Sequence, residues 1–343
     1  MEEQIKTIKC GFDLGNKYVK VVTDMTQYEF AASFKEISKF DYEDIEGNDE
    51  NVLVNYDGKY YIVGSQGTQG IETENKGSIG ARDQASILKL VGLSKDMQNR
   101  DIITARYNIV TGTPFDHYEK YHDGYKDLFL SGNIQEIEVN HIKYKINVEK
   151  TFITKQSACI ILALKDRKQY IYLLLDLGGG TLDLSLYEKG LRTKGTTIDF
   201  SLNRVLVELG KMLNKYIDID GISVNNGRFL KDMETLVMNG HYKGTKYVTF
   251  KNKNIKLSEL VDGFLQRKTN EVIDKALFEL KINSSDLVLM KNVFAGGGAK
   301  LLERQLMSNT KLNHKQIFGN PAFANSISYY NVAKLLGEDK WFA

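Results

Sequence analysis

The sequence predicts an α/β chain built as two similar halves. Three observations carry that prediction. An apolar stretch runs into Asp13-Leu14-Gly15, a second runs into Asp176-Leu177-Gly178, and a third, late one runs into Gly296-Gly297-Gly298. After each Asp-Leu-Gly turn the same order follows: returning strand, further strand, then helices. At 343 residues the chain exceeds what one hydrophobic core usually serves, so two domains are expected.

Ile5 to Phe12 reads as the first strand, and Tyr18 to Val22, alternating and β-forming, as its return. A third strand is expected over Tyr28 to Phe34, and a solvated acidic loop over Asp41 to Glu50. Val52 to Tyr56 and Lys59 to Val63 flank Asp57-Gly58, a hairpin signal because glycine accepts positive φ. Ala85, Leu88, Val91 and Leu93 give Asp83 to Leu93 helical spacing. Tyr107 to Val110 is a strand ending in Thr111-Gly112-Thr113-Pro114, and a helix is expected from Asp116. Ile134 to Val139 and Ile142 to Val148 alternate around a turn at Asn140-His141, and Gln156 to Leu164 is apolar enough for a buried helix.

The pattern then restarts. Tyr170 to Leu175 is the unbroken apolar run of a buried strand, returning as Leu182 to Tyr187, with a further strand over Thr196 to Phe200. Helices are expected over Leu202 to Leu213, Arg228 to Met238 and Leu257 to Leu280. Leu287 to Phe294 is the last clear strand. Two helices close the chain, one after Gly298 and one over Ala324 to Leu336.

Composition narrows the function classes. The net charge is +2, too little for DNA binding by bulk electrostatics, so any nucleic-acid role must run through another protein. Cys10 and Cys159 provide no disulfide framework and no metal-ligand spacing, and both read as small buried side chains. Five scattered histidines argue against a zinc enzyme. Met1 to Lys9 is charged and poor in apolar residues, and apolar runs such as Ile171 to Leu175 are too short to span a bilayer. A cytoplasmic protein without a membrane partner is expected.

The two Asp-Leu-Gly turns and the late glycines carry the chemistry. Hairpin turns of this kind offer clustered backbone N–H groups to phosphate oxygens, and glycine lets the backbone come close. Asp13 and Asp176 would repel a phosphate directly, and make sense if Mg2+ lies between. Lys17 can neutralise phosphate charge and Thr181 can donate a hydroxyl hydrogen bond.

These residues together resemble the superfamily of actin, DnaK-type chaperones and sugar kinases. The resemblance implies two actin-like (ribonuclease H-like) domains, mixed sheets flanked by helices, with nucleotide in the interdomain cleft. It implies a first domain over 1–160 and a second over 161–323, with a terminal helix from about 324 packing back on the first. Gly11 to Lys17 looks like the phosphate 1 loop, contributing Asp13, Gly15, Asn16 and Lys17. Asp176 to Asp183 looks like the phosphate 2 loop, contributing Gly178, Gly179, Gly180 and Thr181. Gly296, Gly297 and Gly298 look like the adenosine loop. Thr154 to Cys159 resembles the first connecting helix and Ala324 to Tyr330 the second. On this resemblance Asp13 and Asp176 hold Mg2+, and Gln156 and Asp176 are catalytic, Gln156 standing where the family orients the attacking water. Asp183 is expected to support its turn. Asn16 and Lys17 stand where many relatives have Ser or Thr.

Within the superfamily the chain is most similar to ParM-type plasmid segregation ATPases. Gly112-Thr113-Pro114, the Asn16-x-Tyr18-x-Lys20-Val21 pattern and the terminal Ala-Asn-x-x-x-Tyr sequence carry that likeness. The chain ends at Ala343 without the region a DnaK-type chaperone carries after its ATPase, and no substrate aspartate of a sugar kinase stands out. The expected activity is hydrolysis of ATP, with GTP as the alternative, coupled to self-assembly into filaments. The expected cofactor is Mg2+, and the expected partner beyond the chain itself is a DNA-bound adaptor of the ParR type. A small-molecule kinase on the same fold and an MreB-like scaffold filament are the rival readings.

Overall fold

The computed structural model describes residues 7–67, 69–70, 82–114, 118–130, 132–217, 219, 221–223, 226–240, 247–250, 253–283 and 285–337. The chain divides into two compact units, Met1–Ala163 with Asn325–Ala343, and Leu164–Ala324.

The first unit runs β1 (Ile8–Leu14), β2 (Tyr18–Val22), β3 (Gln27–Ala31), β4 (Ser33–Ile37), α1 (Lys39–Asp44), β5 (Asn51–Tyr56), β6 (Lys59–Gly64), β7 (Gln69–Gly70), α2 (Arg82–Asn99), β8 (Thr104–Thr113), α3 (Tyr118–Phe129), β9 (Gln135–Val139) and β10 (Ile142–Lys155). Its ten strands form one mixed sheet in the order β3-β2-β1-β8-β10-β9-β5-β6-β4-β7. β1, β8 and β10 are parallel neighbours. The pleat sorts β1 by face. Cys10, Phe12 and Leu14 enter the main core with Leu88 and Leu93 of α2 and Phe129 of α3. Phe12 and Phe129 meet edge to face, ring centroids 5.4 Å apart.

The second unit runs β11 (Ile171–Leu177), β12 (Leu182–Glu188), β13 (Leu191–Ile198), α4 (Leu202–Leu213), α5 (Gly227–Met238), β14 (Tyr247–Phe250), β15 (Lys253–Lys256), α6 (Leu257–Leu280), β16 (Met290–Ala295), α7 (Gly296–Leu301), α8 (Glu303–Ser308) and β17 (Lys315–Ile317). Its five-stranded sheet has the order β13-β12-β11-β16-β17, and β14 and β15 form a separate hairpin. Leu173, Leu175 and Leu184 of the sheet pack with Leu206 of α4 and Val261 and Leu265 of α6.

The last helix, α9 (Ala324–Leu335), belongs to the first unit from Asn325 onward. It lies on the sheet face opposite α2, where Tyr329 and Ala333 cluster with Val110 and Cys159. Its backbone comes so close at Gly11 that an added Cβ would lie 2.1 Å from the Ser326 carbonyl oxygen and 2.4 Å from the Tyr330 nitrogen. Only glycine fits there.

Several expected elements differ. The third strand splits at Ala32 into β3 and β4, which pair with β2 and β6 respectively. The acidic stretch expected as a loop contains α1. Ser38 caps it by accepting from the Asp41 N–H, and the Asp41 carboxylate accepts from the Ser38 N–H, a capping box that outweighs the local polarity. Gln156 to Leu164 does not form a helix, and neither does the proposed connecting segment Thr154 to Cys159. β10 extends through Lys155 alongside β8, Ser157 takes φ +65°, and only a short 3-10 turn, Ile160–Ala163, follows. A buried, left-handed residue cannot continue a right-handed helix. Leu287 lies in a 3-10 turn ahead of β16, and the helix expected after Gly298 begins at Gly296. β14, β15, β17 and α8 were not expected. Of the residues expected in β1, Ile5 lies outside the described residues, as does Asp116, the expected start of α3.

Candidate functional site

In the first unit, the parallel strands β1, β8 and β10 bring their carboxyl ends to one sheet edge. In open α/β sheets ligands gather at such an edge. Phe12 stands opposite Thr111 and Thr113 opposite Lys155, so the chain positions after them, Asp13 and Gln156, share this edge. Asp13 is nearly buried and faces Lys20 across the β1–β2 ladder, with Lys20 Nζ 3.9 Å from its carboxylate. Gly15, Asn16 and Lys17 form the turn of that hairpin, and the Lys17 ammonium lies 5.3 Å from the centroid of the Tyr18 ring.

Gln156 is fixed through its backbone. Its N–H donates to the Thr113 carbonyl at 2.6 Å, and the next N–H, of Ser157, donates to Asn325 Oδ1 at 3.0 Å. Ser157 is fully buried in its left-handed conformation. A non-glycine residue held there costs about 1 kcal/mol or more, which the Asn325 bond helps to offset. The hydroxyls of Thr111 and Thr113, also at this edge, are buried and make no hydrogen bond among the described residues. Lys20, Thr113, Ser157 and Asn325 stand in patterns that the sequence shows, but none of those patterns gives them a place at this edge. The β1–β2 and β8–β10 pairings and the Ser157–Asn325 bond bring them there.

In the second unit, β11 and β16 are parallel neighbours, with Asp176 opposite Ala295. This register sets Asp176 beside Gly296, whose φ is +84° and whose added Cβ would lie 2.6 Å from Asp176 Oδ1 and 2.3 Å from the Leu177 carbonyl oxygen. The late glycines therefore lie directly against the second turn. Gly178 N–H donates to the Thr181 carbonyl at 2.9 Å and closes the hairpin. The Gly178 and Gly179 carbonyls accept from the Leu202 and Asn203 N–H groups of α4, each at 3.2 Å, which fixes the turn on that helix. A Cβ added at Gly297 would meet nothing within 4 Å, so packing does not require glycine there. Asp176 and Asp183 face each other across β11 and β12, both nearly buried, and Asp183 accepts from the Thr197 hydroxyl. Two ionised carboxylates so placed disfavour each other unless positive charge or hydrogen-bond donors compensate.

Each unit thus joins an aspartate to a glycine-bearing hairpin turn, and the second adds the glycine loop. Among the described residues no three His, Cys, Asp or Glu side chains group closely enough to hold a metal ion by themselves. Asp13 and Asp176, carboxylates at the two turns, offer a donor chemistry that fits an ion held in part by phosphate oxygens and water, the usual way of Mg2+.

Residues 11–158 match the family described as actin like proteins N terminal domain, and residues 172–321 match the Alp7A C-terminal domain. No curated protein sequence matches the chain. Among solved structures, the chain is similar to the actin-like protein Alp7A, at 17% identity and a TM-score of 0.75, covering 96% of this chain and 97% of that one. It is similar to a ParM from a 15-stranded filament of Clostridium botulinum, at 19% identity and a TM-score of 0.69, covering 97% and 100%. It is similar to Bacillus thuringiensis ParM with ATP, at 15% identity and a TM-score of 0.67, covering 96% and 98%. At such identities the likeness to these structures is one of fold. The two domain families match in order and together span most of the sequence, on a fold shared with Alp7A and ParM, and the chain belongs to the actin-like proteins of that type.

Proposed function

We propose that this chain is a nucleotide-dependent polymerising ATPase, forming filaments that move plasmid DNA through a DNA-bound adaptor of the ParR type. The observation that carries the reading is the seating of Asp176 against Gly296 beside a hairpin turn fixed on α4, with a matching aspartate hairpin in the other unit. The likeness to a ParM solved with ATP and to one in a filament supports it. The two units then serve as actin-like domains I and II. Gly15, Asn16, Lys17, Gly178, Gly179, Gly180 and Thr181 cradle phosphate, and Gly296, Gly297 and Gly298 take the adenosine. Asp13 and Asp176 would hold Mg2+, which neutralises phosphate charge when bound. Gln156 orients the attacking water, and Asp176 is the second contact to it. γ-Phosphate hydrolysis needs little more than that positioning and electrostatic stabilisation. Among the described residues no helix is long and apolar enough to cross a membrane, and we assign the protein to the cytoplasm.

The test is light scattering with phosphate release in Mg2+, on addition of ATP, GTP, ADP and a non-hydrolysable ATP analogue. Scattering should rise with a triphosphate above a critical protein concentration and decay as phosphate appears. Gln156→Ala should still assemble but release phosphate at least about tenfold more slowly. Nucleotide binding with flat scattering at every concentration refutes the polymer and directs the search to a phosphoryl acceptor.

A further inference from the structure

Two surfaces, one on each unit, combine exposed apolar side chains with opposite charge. On the first unit, α1 is held by its one buried residue, Tyr42, whose ring packs on Tyr60 and whose hydroxyl donates to Glu138 at 2.8 Å. The rest of the segment faces solvent. Phe40 is 74% exposed and Ile45 is 40% exposed, amid six carboxylates over 41–50, of which Glu43 pairs with Lys39 at 3.5 Å and Asp49 with Lys95 at 3.6 Å, leaving the segment acidic. On the second unit, the amino end of β11, the β12–β13 turn and the amino end of β16 meet. A Cβ added at Gly190 would lie 3.5 Å from Arg167 and 3.6 Å from Lys168, and the Lys291 ammonium sits 3.7 Å from the Tyr170 ring centroid. Leu191 is 73% exposed and Leu289 is 71% exposed on this surface. Lys165, Lys168 and Lys189 stand exposed around them, while the intervening Asp166 is engaged by Lys291 and the Tyr172 hydroxyl.

We propose that these two surfaces bind each other between copies of this chain: the acidic, apolar α1 segment of one copy docks on the basic, apolar end of the second unit of the next. The inference rests on the polymer reading and gives it a contact. Apolar residues this exposed, ringed by charge, mark an interaction surface, and the complementary surface lies on the same chain. Two different patches that recognise each other form a heterologous contact, which propagates into an open filament when the rotation does not close. Opposed charges across the contact also make assembly sensitive to salt, since rising ionic strength screens them.

Two charge-reversal variants test it: Asp44→Lys with Glu46→Lys on the first surface, and Lys168→Glu with Lys189→Glu on the second. All four side chains are exposed and none belongs to the loops assigned to nucleotide. Each variant should bind nucleotide as the wild type does yet raise the critical concentration for assembly about tenfold or more. The chain carrying both reversals should recover assembly. An equimolar mixture of the two single-surface variants should sediment faster than either alone, because each altered surface then meets one of opposite charge on the other variant, whereas within either variant like charges face each other. Wild-type assembly with both variants unaffected, or a doubly reversed chain no better than either, overturns this contact and leaves the polymer reading standing. A wild-type chain that binds nucleotide but sediments as a monomer at every concentration overturns both.

Discussion

At the scale of single residues, burial decides chemistry. Cys159 packs with Val110, Tyr329 and Ala333, and burial pushes its thiol up to about 12, against a weaker opposing hydrogen bond involving Thr154. Burial also raises the Cys10 thiol, helped by the Asp96 carboxylate and opposed by Arg100. Thiolate is the reactive form. A raised pKa leaves little thiolate at mildly alkaline pH, about one part in 10^4 for Cys159 near pH 8. Native protein should therefore leave a disulfide thiol reagent unreacted at that pH over minutes, and denatured protein should react at both positions. One fast native thiol would show that a site described as buried opens readily. Asp96 itself shows the other side of burial. It is fully enclosed, and it accepts from Thr23 Oγ1 at 2.8 Å and from Tyr107 Oη and Arg100 Nε at 2.9 Å each. A buried carboxylate is tolerated only when so compensated. Arg100, four residues on, is a local partner, but Thr23 and Tyr107 come from other stretches of chain, so no local sequence pattern announces the full set.

At the scale of elements, close approach and capping set what forms. Gly11 admits the backbone of α9, and Gly11→Ala would drive a methyl group into the Ser326 carbonyl and the Tyr330 nitrogen. Neither is the movable tip of a side chain. The expected loss is about 3 kcal/mol, at the upper end for overpacking, read as a lower denaturant midpoint for the first unit. An unchanged midpoint would mean that α9 is not seated there. On α6, Glu271 accepts from Lys268 at 2.9 Å, and that bond, with the Lys275 charge, holds its carboxyl below the usual carboxylate range. A depressed folded-state pKa contributes stability above the unfolded value near about 4.3 and loses it as pH falls through the folded value. Glu271 is well exposed, so Glu271→Gln should cost only about 0.5 kcal/mol near neutrality. The difference from wild type should vanish in acid, by urea unfolding at several pH values, and a difference that grows in acid would reverse the assigned sign. α4 and α6 carry enough apolar periodicity for the sequence to predict their bounds, Leu202–Leu213 and Leu257–Leu280. The Asp-Leu-Gly hairpins were equally legible because both strands of each are apolar and the turn residues are specific. Where long-range pairing prevails, the local pattern misleads. Gln156 to Leu164 has helical composition, but β10 runs beside β8 up to Lys155, and Asn325, far along the chain, accepts from the N–H of left-handed Ser157, so only a short 3-10 turn follows.

At the scale of the whole molecule, nucleotide and stability are linked. A ligand that binds only the folded chain adds about 2.7 kcal/mol at one hundred times its Kd. The proposed function assigns loops in both units to one nucleotide, so substitutions in either unit should diminish that gain. Gly297→Val tests the second unit cleanly, because a Cβ there meets nothing within 4 Å and the folded chain has room for it. Lys17→Ala tests the first, since the Lys17 side chain lies over the Tyr18 ring at the hairpin turn. Without nucleotide, both variants should melt within about 2 °C of the wild type, as surface changes usually do. With saturating ATP and Mg2+ the wild type should gain several degrees, and each variant should gain much less. The two arms fail separately. If Gly297→Val alone loses the gain, the nucleotide is held without Lys17 and the first hairpin's assignment falls. If both variants keep the full gain, the nucleotide lies elsewhere and the shared fold with ParM does not extend to how this chain holds its ligand.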